Sequence, residues 1–471
     1  MEARLKKLFN DTALFALSSF GSKILIFFML PLYTSVLTLN EYSTADIIAN
    51  AVSLLIPVLT LSISEATLRF ALSKNTNPHT VLSNSMLMVL GATVSLLIAT
   101  PFVKVFAGAY MRYWQYLLIT TIITAVQQCL ANYIKGINKT KIFAIQGVLF
   151  TVVLIACNLL FLLVFQWRLE GYLLAIILAN ASSVIFMCVS AKLWKQLCVP
   201  KPNKTILVEM LKYSVPMLFT TIAWWANSSL DKYMLLGFVG LSANGLYAVA
   251  HKIPSIFNTL TALFSQAWRL TAISDYEEGN AQSSMKFYSQ VHSKYIVVCV
   301  YVCAAITLFS QLLAKILFQS EYYVAWNLVP PLMLAALFEA CSGFLASIYA
   351  ALKKTKFLSI STGIGVVVNL GLNWLLISIL GIIGAPIATF LSFVVVWAIR
   401  LMVLKKFISL DVNYKKTVSM LLLLTAGGLY FAFDCPYKTV VYGLCICVIF
   451  AVSMRETKEM LFAMRKLIKR A

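Results

Sequence analysis

The sequence is poor in charged residues, and acidic residues and histidines are especially scarce. Only 12% of the 471 residues are charged, and 17 acidic residues and three histidines stand against 38 basic residues. Enzyme active sites and metal sites draw on clusters of such side chains, and no nucleophile motif, metal-ligand spacing or phosphate-binding loop is found. The ten cysteines lie mostly inside apolar segments, where packing is their expected role. We therefore expect neither an enzyme nor a cofactor or metal site.

What the sequence has in abundance is apolar length. Hydrophobic residues make up 61% of the chain, and the mean hydropathy is +0.87. Runs of roughly 20 apolar residues, enough to cross about 30 Å of hydrocarbon, follow one another along the chain. They predict an all-α integral membrane protein with about 14 transmembrane helices. The predicted spans are 12–37, 42–68, 81–104, 112–134, 142–166, 171–194, 206–237, 242–270, 290–318, 323–351, 357–379, 381–404, 413–433 and 437–454.

The net charge of +21 does not indicate nucleic acid, because the basic residues recur between apolar runs instead of gathering on one surface. Basic connectors alternate with connectors that carry almost no charge. About thirty of the basic residues fall on the side of the N-terminus and about five on the other, the asymmetry of positive-inside topology. We expect a multi-pass protein of a bacterial cytoplasmic (inner) membrane with both termini in the cytoplasm.

Two segments about 200 residues apart resemble each other. The stretch at 38–42 matches 240–247, and 64–69 matches 265–269, with six predicted spans between the copies. An even number of spans preserves orientation, so the sequence predicts two six-helix lobes related by a parallel pseudo-two-fold repeat, with a cavity between them. The predicted domains are an N-lobe at 1–200, a C-lobe at 201–408, two further helices at 409–455 and an amphipathic cytoplasmic tail at 456–471.

Ionisable residues inside the predicted spans are few, and each is a candidate site because burying a charge in the membrane is costly. Lys23 lies midway along the first span beside three serines, where it could hold an anion or form an ion pair between helices. Glu339, near the middle of the tenth span, could bind a proton or cation, or could be a neutral acid hydrogen-bonded to another helix.

Further charged residues lie near the ends of spans. Asp231 and Lys252 are close enough to pair, with Asp231 ordering the lysine. Glu65 and Arg69 are one helical turn apart and could form an intrahelical pair, while Arg269 holds the position equivalent to Arg69 in the second copy.

Three tryptophans are candidates for stacking on sugar rings, although aromatic residues at span ends also anchor helices at the membrane interface. They are Trp224, Trp225 and Trp268.

Several motifs resemble those of bacterial polysaccharide-repeat flippases of the Wzx type. These flippases form the polysaccharide transporter family of the multidrug/oligosaccharidyl-lipid/polysaccharide exporter superfamily. The motifs are LPLYT at 30–34, LTLNEY at 37–42, EATLRF at 65–70, DKYMLLG at 231–237 and ANGLYAVAHKI at 243–253. The first copy departs from the family's pattern at 43–46, and Asp46 is given no role.

The resemblance implies a substrate such as an undecaprenyl-pyrophosphate-linked oligosaccharide. It would be carried by alternating access to the outer leaflet, for synthesis of capsule, exopolysaccharide or O-antigen. Polymerase and glycosyltransferases would be further partners beside the membrane lipids. Pyrophosphate binding would fall to Lys23, Lys252, Arg269 and Arg69, and a proton or sodium gradient would couple through Asp231, Glu339 or Glu65.

Three alternatives stay open at the level of sequence. A multidrug and toxin exporter of the same superfamily would need acidic and aromatic groups for cationic drugs, and the central lysines disfavour it. A membrane polymerase or glycosyltransferase would need a sizeable external catalytic loop, which the connectors do not provide. A structural scaffold for glycan assembly would tolerate neutral residues at Lys23 and Lys252.

Overall fold

The fold is all-helical and matches the predicted spans closely. The structure is a computed structural model that describes residues 25–73, 75–106, 112–193, 202–278, 281–408, 410–411, 413–433, 435–459 and 462. Within these ranges no strand is present. Nine described helices are long and apolar enough to cross a membrane, and two shorter apolar helices accompany them. One of the nine, at 356–404, contains two consecutive helices, α14 and α15 below.

The chain divides into two compact units, which meet in sequence between Ser229 and Leu230. The first unit contains seven described helices and the start of an eighth. They are α1 (Leu30–Val36), α2 (Leu39–Thr60), α3 (Ile63–Leu72), α4 (Pro78–Phe106), α5 (Trp114–Gly136), α6 (Thr140–Asn158), α7 (Arg168–Ala191) and α8 (Lys204–Phe238).

The second unit begins within α8 and continues to the end of the described chain. Its further helices are α9 (Leu241–Ala250), α10 (Lys252–Glu278), α11 (Ala281–Leu308), α12 (Ser310–Leu317), α13 (Val329–Ala351), α14 (Thr355–Leu380), α15 (Gly384–Leu404), α16 (Tyr414–Ala432) and α17 (Lys438–Val452).

The span predicted at 290–318 is divided between α11 and α12, and two further predicted spans are interrupted. The span predicted at 42–68 consists of α2 and α3, because Leu61 and Ser62 both adopt left-handed backbone conformations after Pro57. The amide of Ser62 donates to the Pro57 carbonyl at 2.8 Å, which closes the turn. The span predicted at 242–270 is likewise divided at His251 into α9 and α10. Apolar periodicity continues through both breaks, so hydropathy alone could not locate them.

The start of α2 explains one of the sequence motifs. Thr38 caps the helix by accepting from the Glu41 amide, and the Glu41 carboxylate accepts from the Thr38 amide at 2.9 Å, a capping box. Arg168, at the start of α7, donates through Nε and Nη2 to the same carboxylate at 2.9 and 2.8 Å. Glu41 therefore joins the ends of two helices in the first unit.

In the second unit the most deeply buried helix is α13. The candidate span that contains it has 89% of its most apolar window buried, compared with 11% for the window in α8. Phe344 of α13 stacks on Trp268 of α10, with ring centroids 4.8 Å apart, and on Tyr295 of α11 at 5.2 Å. These contacts make α13 the packing centre of its unit.

The predicted lobe boundaries stay a prediction. The boundary between the observed units lies inside α8, some thirty residues beyond the predicted end of the N-lobe at residue 200. The tail predicted at 456–471 lies mostly outside the described residues.

Candidate functional site

A cluster of polar side chains joins α2 to α8 inside the first unit. Asn50 donates through Nδ2 to an Asp46 carboxylate oxygen at 3.0 Å, and its own Oδ1 accepts from the Ser229 hydroxyl at 2.9 Å. The indole of Trp225 donates to the Asn50 carbonyl at 2.9 Å. Carboxylate, amide and hydroxyl groups side by side are the chemistry that binds sugar hydroxyls. We call these four residues the Asn50 cluster.

The Asn50 cluster was not predicted, because its partners other than Asp46 are uncharged and Asp46 was given no role. The available signal was the spacing of Asp46 and Asn50, which lie one helical turn apart on the same face of α2.

Asp231 is a buried carboxylate of the second unit. Its side chain is 5% exposed, and it accepts hydrogen bonds from the Tyr247 hydroxyl and, at 2.9 Å, from the Lys232 amide. Gly240, at φ +114°, turns the chain between α8 and α9 and so brings Asp231 and Tyr247 together. Lys252, the predicted partner, is exposed and forms no ion pair with a described residue. The predicted Asp231–Lys252 pair is therefore replaced by a carboxylate–phenol bond.

Glu339 lies on α13 and forms a hydrogen bond with a residue of α10. The Asn258 amide donates to its carboxylate at 3.0 Å. This helix-to-helix hydrogen bond is one of the two predicted roles of Glu339, and the other, binding of a proton or cation, stays a prediction.

The predicted cationic residues are spread out instead of forming one site. Lys252 and Arg269 are both exposed on α10, but seventeen residues separate them, or about 25 Å at 1.5 Å per residue, so they cannot contact one pyrophosphate together. Arg69 lies 4.7 Å from the ring centroid of Tyr213, an exposed cation–π contact, and Glu65 does not pair with it. Lys23 lies outside the described residues.

The three candidate tryptophans differ in accessibility. Trp224 is 59% exposed and offers a free ring face, whereas the Trp225 indole belongs to the Asn50 cluster. Trp268 is 4% exposed and packs against Phe344, Phe287 and Tyr288. Trp268 is thus a core residue in this structure and does not present a face for a sugar.

A further buried charge, which the sequence analysis did not single out, is Arg400 of α15. Its guanidinium donates to the Ser342 hydroxyl and carbonyl of α13 at 2.7 and 3.0 Å. It also donates to the hydroxyls of Ser361 and Thr362 of α14 at 3.0 and 2.9 Å. Arg400 is 8% exposed and forms no ion pair with a described residue. The hydroxyls and the carbonyl therefore accept the hydrogen bonds that water would accept from an exposed guanidinium. It fastens three helices together.

A family model that matches the first half of the chain shows which family this protein belongs to. Residues 8–269 match the family model described as "Polysaccharide biosynthesis protein", which covers more than half of the sequence. The chain belongs to this family.

Two flippases are among the proteins to which the chain is similar. Over 241 residues it is 27% identical to the "Probable low-salt glycan biosynthesis flippase Agl15" of Haloferax volcanii; the match covers 50% of this chain and only 50% of that relative. Among solved structures, "Lipid II flippase MurJ, inward closed conformation" matches with a TM-score of 0.68 at 15% identity, over 97% of this chain and 100% of that one.

A drug exporter also shares the fold. The "inward-facing conformation of a multidrug resistance MATE family transporter" has a TM-score of 0.68 at 14% identity, over 82% of this chain and 96% of the other. At such identities these likenesses establish the fold alone. With the family, they establish a multi-pass helical membrane protein of a glycan-assembly family, and the named relatives are flippases or transporters and not enzymes.

Proposed function

We propose that this protein is a flippase that moves an undecaprenyl-pyrophosphate-linked oligosaccharide repeat unit from the cytoplasmic to the outer leaflet by alternating access. The product would be polymerised into capsule, exopolysaccharide or O-antigen, and the membrane would be the bacterial inner membrane with both termini cytoplasmic. The observation that carries the proposal is membership of a polysaccharide biosynthesis family in a chain with a transporter fold.

The polar groups inside the helices fit such a substrate. Sugar hydroxyls need paired donors and acceptors once they leave water, since an unpaired polar group in an apolar medium costs several kcal/mol. The Asn50 cluster and the exposed Trp224 provide hydrogen bonds and an aromatic face for them. A lipid without sugars or a hydrophobic drug lacks the hydroxyl groups that would form these hydrogen bonds.

Cationic residues would meet the pyrophosphate at successive positions. Arg269, near the predicted cytoplasmic end of α10, and Arg69 would receive it first, and Lys252 and Lys23 would hold it deeper in the membrane. The separation of about 25 Å along α10 suits a path better than a single site.

We further propose that a proton or sodium ion resets the carrier through Asp231 or Glu339, while Glu65 is the weakest of the three candidates because it is exposed. Neutralising a buried carboxylate changes the cost of burying it and so biases conformation. Flipping that is independent of ion gradients in vesicles would overturn this part.

The test in cells is depletion of the protein followed by measurement of lipid-linked oligosaccharide on each leaflet. We expect build-up on the cytoplasmic leaflet, which wild type clears and Lys252→Ala and Lys23→Ala do not. Lys356→Ala, an exposed lysine at the start of α14, is the matched control and should clear it fully. Normal outward translocation during depletion would contradict the proposal and favour drug export or scaffolding.

A further inference from the structure

A cleft lies between α10 and α11 of the second unit, apart from the candidate site residues discussed above. Its volume is about 430 Å³, and it is lined by side chains from Phe257 to Phe264 on one helix and from Val291 to Val302 on the other. The lining residues recur at intervals of three, four and seven, so each helix turns one continuous face to the cleft. We call it the α10–α11 cleft.

The surface of the cleft is apolar and aromatic. Phe264 and Tyr295, one from each helix, stack with ring centroids 4.5 Å apart. The Thr261 hydroxyl donates to the Asn258 carbonyl at 3.1 Å, so this polar atom is already engaged. Leu260 and Val298 remain 44% and 45% exposed on the two walls, which leaves space for an apolar chain to cover them.

One end of the cleft is basic. Lys294 lines it and lies 3.8 Å from the Glu459 carboxylate, and Arg455 lies 3.4 Å from the same residue. One carboxylate between two cations leaves a surplus positive charge, and the exposed Lys294–Glu459 contact is weak. Arg269 is five residues beyond Phe264, about 7.5 Å toward this same end. This end therefore suits an anionic group.

The cleft also has a suitable length. From Val291 to Val302 it follows α11 for eleven residues, or about 16 Å, which is about half the thickness of the hydrocarbon core. A basic end joined to a long apolar trough fits a molecule with an anionic head and a hydrocarbon tail.

We propose that the α10–α11 cleft holds the head-proximal part of the substrate's polyprenyl tail, with Lys294 at the diphosphate. The proposal rests on the proposed function. The occupant is a polyprenyl diphosphate and not a phospholipid, because a diphosphate carries more negative charge than a phosphodiester and so better matches the surplus cations at the basic end. The cleft thereby positions the lipid-linked substrate at the start of the path, before its pyrophosphate moves on toward Lys252.

The test uses the purified full chain in phospholipid vesicles with a polyprenyl-diphosphate glycan that carries a photoreactive group near the head of its tail. We expect cross-links within 291–302 that excess unlabelled polyprenyl diphosphate removes and excess phospholipid does not. Val298→Trp fills the cleft and should lower this labelling roughly tenfold, since it displaces at least two methylene groups from the wall. Val367→Trp, at a 70% exposed valine of α14, is the matched control and should label as wild type does.

Labelling elsewhere in the chain, or competition by phospholipid as strong as by polyprenyl diphosphate, would overturn the cleft assignment. Translocation is measured in the same vesicles with glycans on a long polyprenyl tail and on a short citronellyl tail. Val298→Trp should raise KM about tenfold for the long tail and little for the short one. If wild type binds the photoprobe in 291–302 but translocates neither glycan, the tail site stands and the proposed function fails.

Discussion

At the scale of single residues, a polar contact inside the membrane contributes more to stability than one at the surface. Asp231 is buried and accepts hydrogen bonds from the Tyr247 hydroxyl and the Lys232 amide, and Tyr247 is itself fully buried. A buried group that loses its partner pays a desolvation cost that a surface group does not. At Asp231 and Arg400, small chemical changes are therefore expected to lower stability.

Tyr247→Phe removes one hydroxyl and keeps the ring. We expect a loss of about 1–3 kcal/mol in unfolding free energy, because the Asp231 carboxylate loses a charge-assisted hydrogen bond in a buried position. Thermal unfolding in detergent measures it. Tyr323→Phe, at a tyrosine that is 39% exposed, should be neutral, and equal melting temperatures for both variants would contradict this role of Tyr247.

Arg400→Lys keeps the charge but loses the planar fork that reaches α13 and α14 simultaneously. We expect a destabilisation of about 2 kcal/mol, since an ammonium cannot satisfy four acceptors in the same geometry. Arg455→Lys, at a side chain that is 87% exposed, is the control. Unchanged melting of the Arg400 variant would show that the network does not hold the helices together.

Residue-scale prediction from the sequence was partial for physical reasons. Burial of a charge is readable from its position in an apolar run, so Asp231 and Glu339 were found. Their partners were not, because Tyr247 and Asn258 are uncharged and leave no mark in a charge pattern. The long side chain of Lys252 can reach water, so its predicted position in the span next to that of Asp231 did not make it a partner.

At the scale of helices, close approach depends on small residues. A Cβ added to Gly136 of α5 would lie 2.5 Å from the Ala71 Cβ and 3.3 Å from the Leu68 carbonyl oxygen. Without a hydrophobic driving force between helices in lipid, such van der Waals contact is a main source of association. The contact between α3 and α5 therefore requires glycine at this position.

Gly136→Ala should destabilise the first unit by about 1–3 kcal/mol through overpacking, although alanine has the higher helix propensity. Gly147→Ala in α6 is matched, because nothing lies within 4 Å of its added Cβ, and it should be neutral or slightly stabilising. Melting temperatures of the two variants in detergent give the comparison. A Gly136 variant as stable as the Gly147 variant would contradict the close packing.

Helix positions were predictable, whereas the breaks within helices were not. Apolar length and alternating connector charge located the spans, since both follow from the thickness and polarity of the membrane. The break at Leu61 and Ser62 depends on left-handed backbone angles at two residues that do not favour them, and only the structure reveals it.

At the scale of the whole molecule, the fold and the family are established, and the transported substrate is what we propose. Nine membrane-length helices among the described residues and the likeness to solved transporters establish the fold, and the family match places the chain among polysaccharide biosynthesis proteins. The same fold serves drug export, so the fold does not decide the substrate. The chemistry of the polar groups supports a glycan.

The most direct measurement is translocation by the purified protein in sealed vesicles that contain a fluorescent undecaprenyl-pyrophosphate-linked oligosaccharide. Access of a membrane-impermeant glycan-modifying reagent reports the leaflet of each molecule. The account predicts rapid transfer with wild type, a roughly tenfold or greater loss with Lys252→Ala through weaker pyrophosphate binding, and no loss with Lys356→Ala. Transfer no faster than in protein-free vesicles, with active export of cationic dyes by the same preparation, would contradict it.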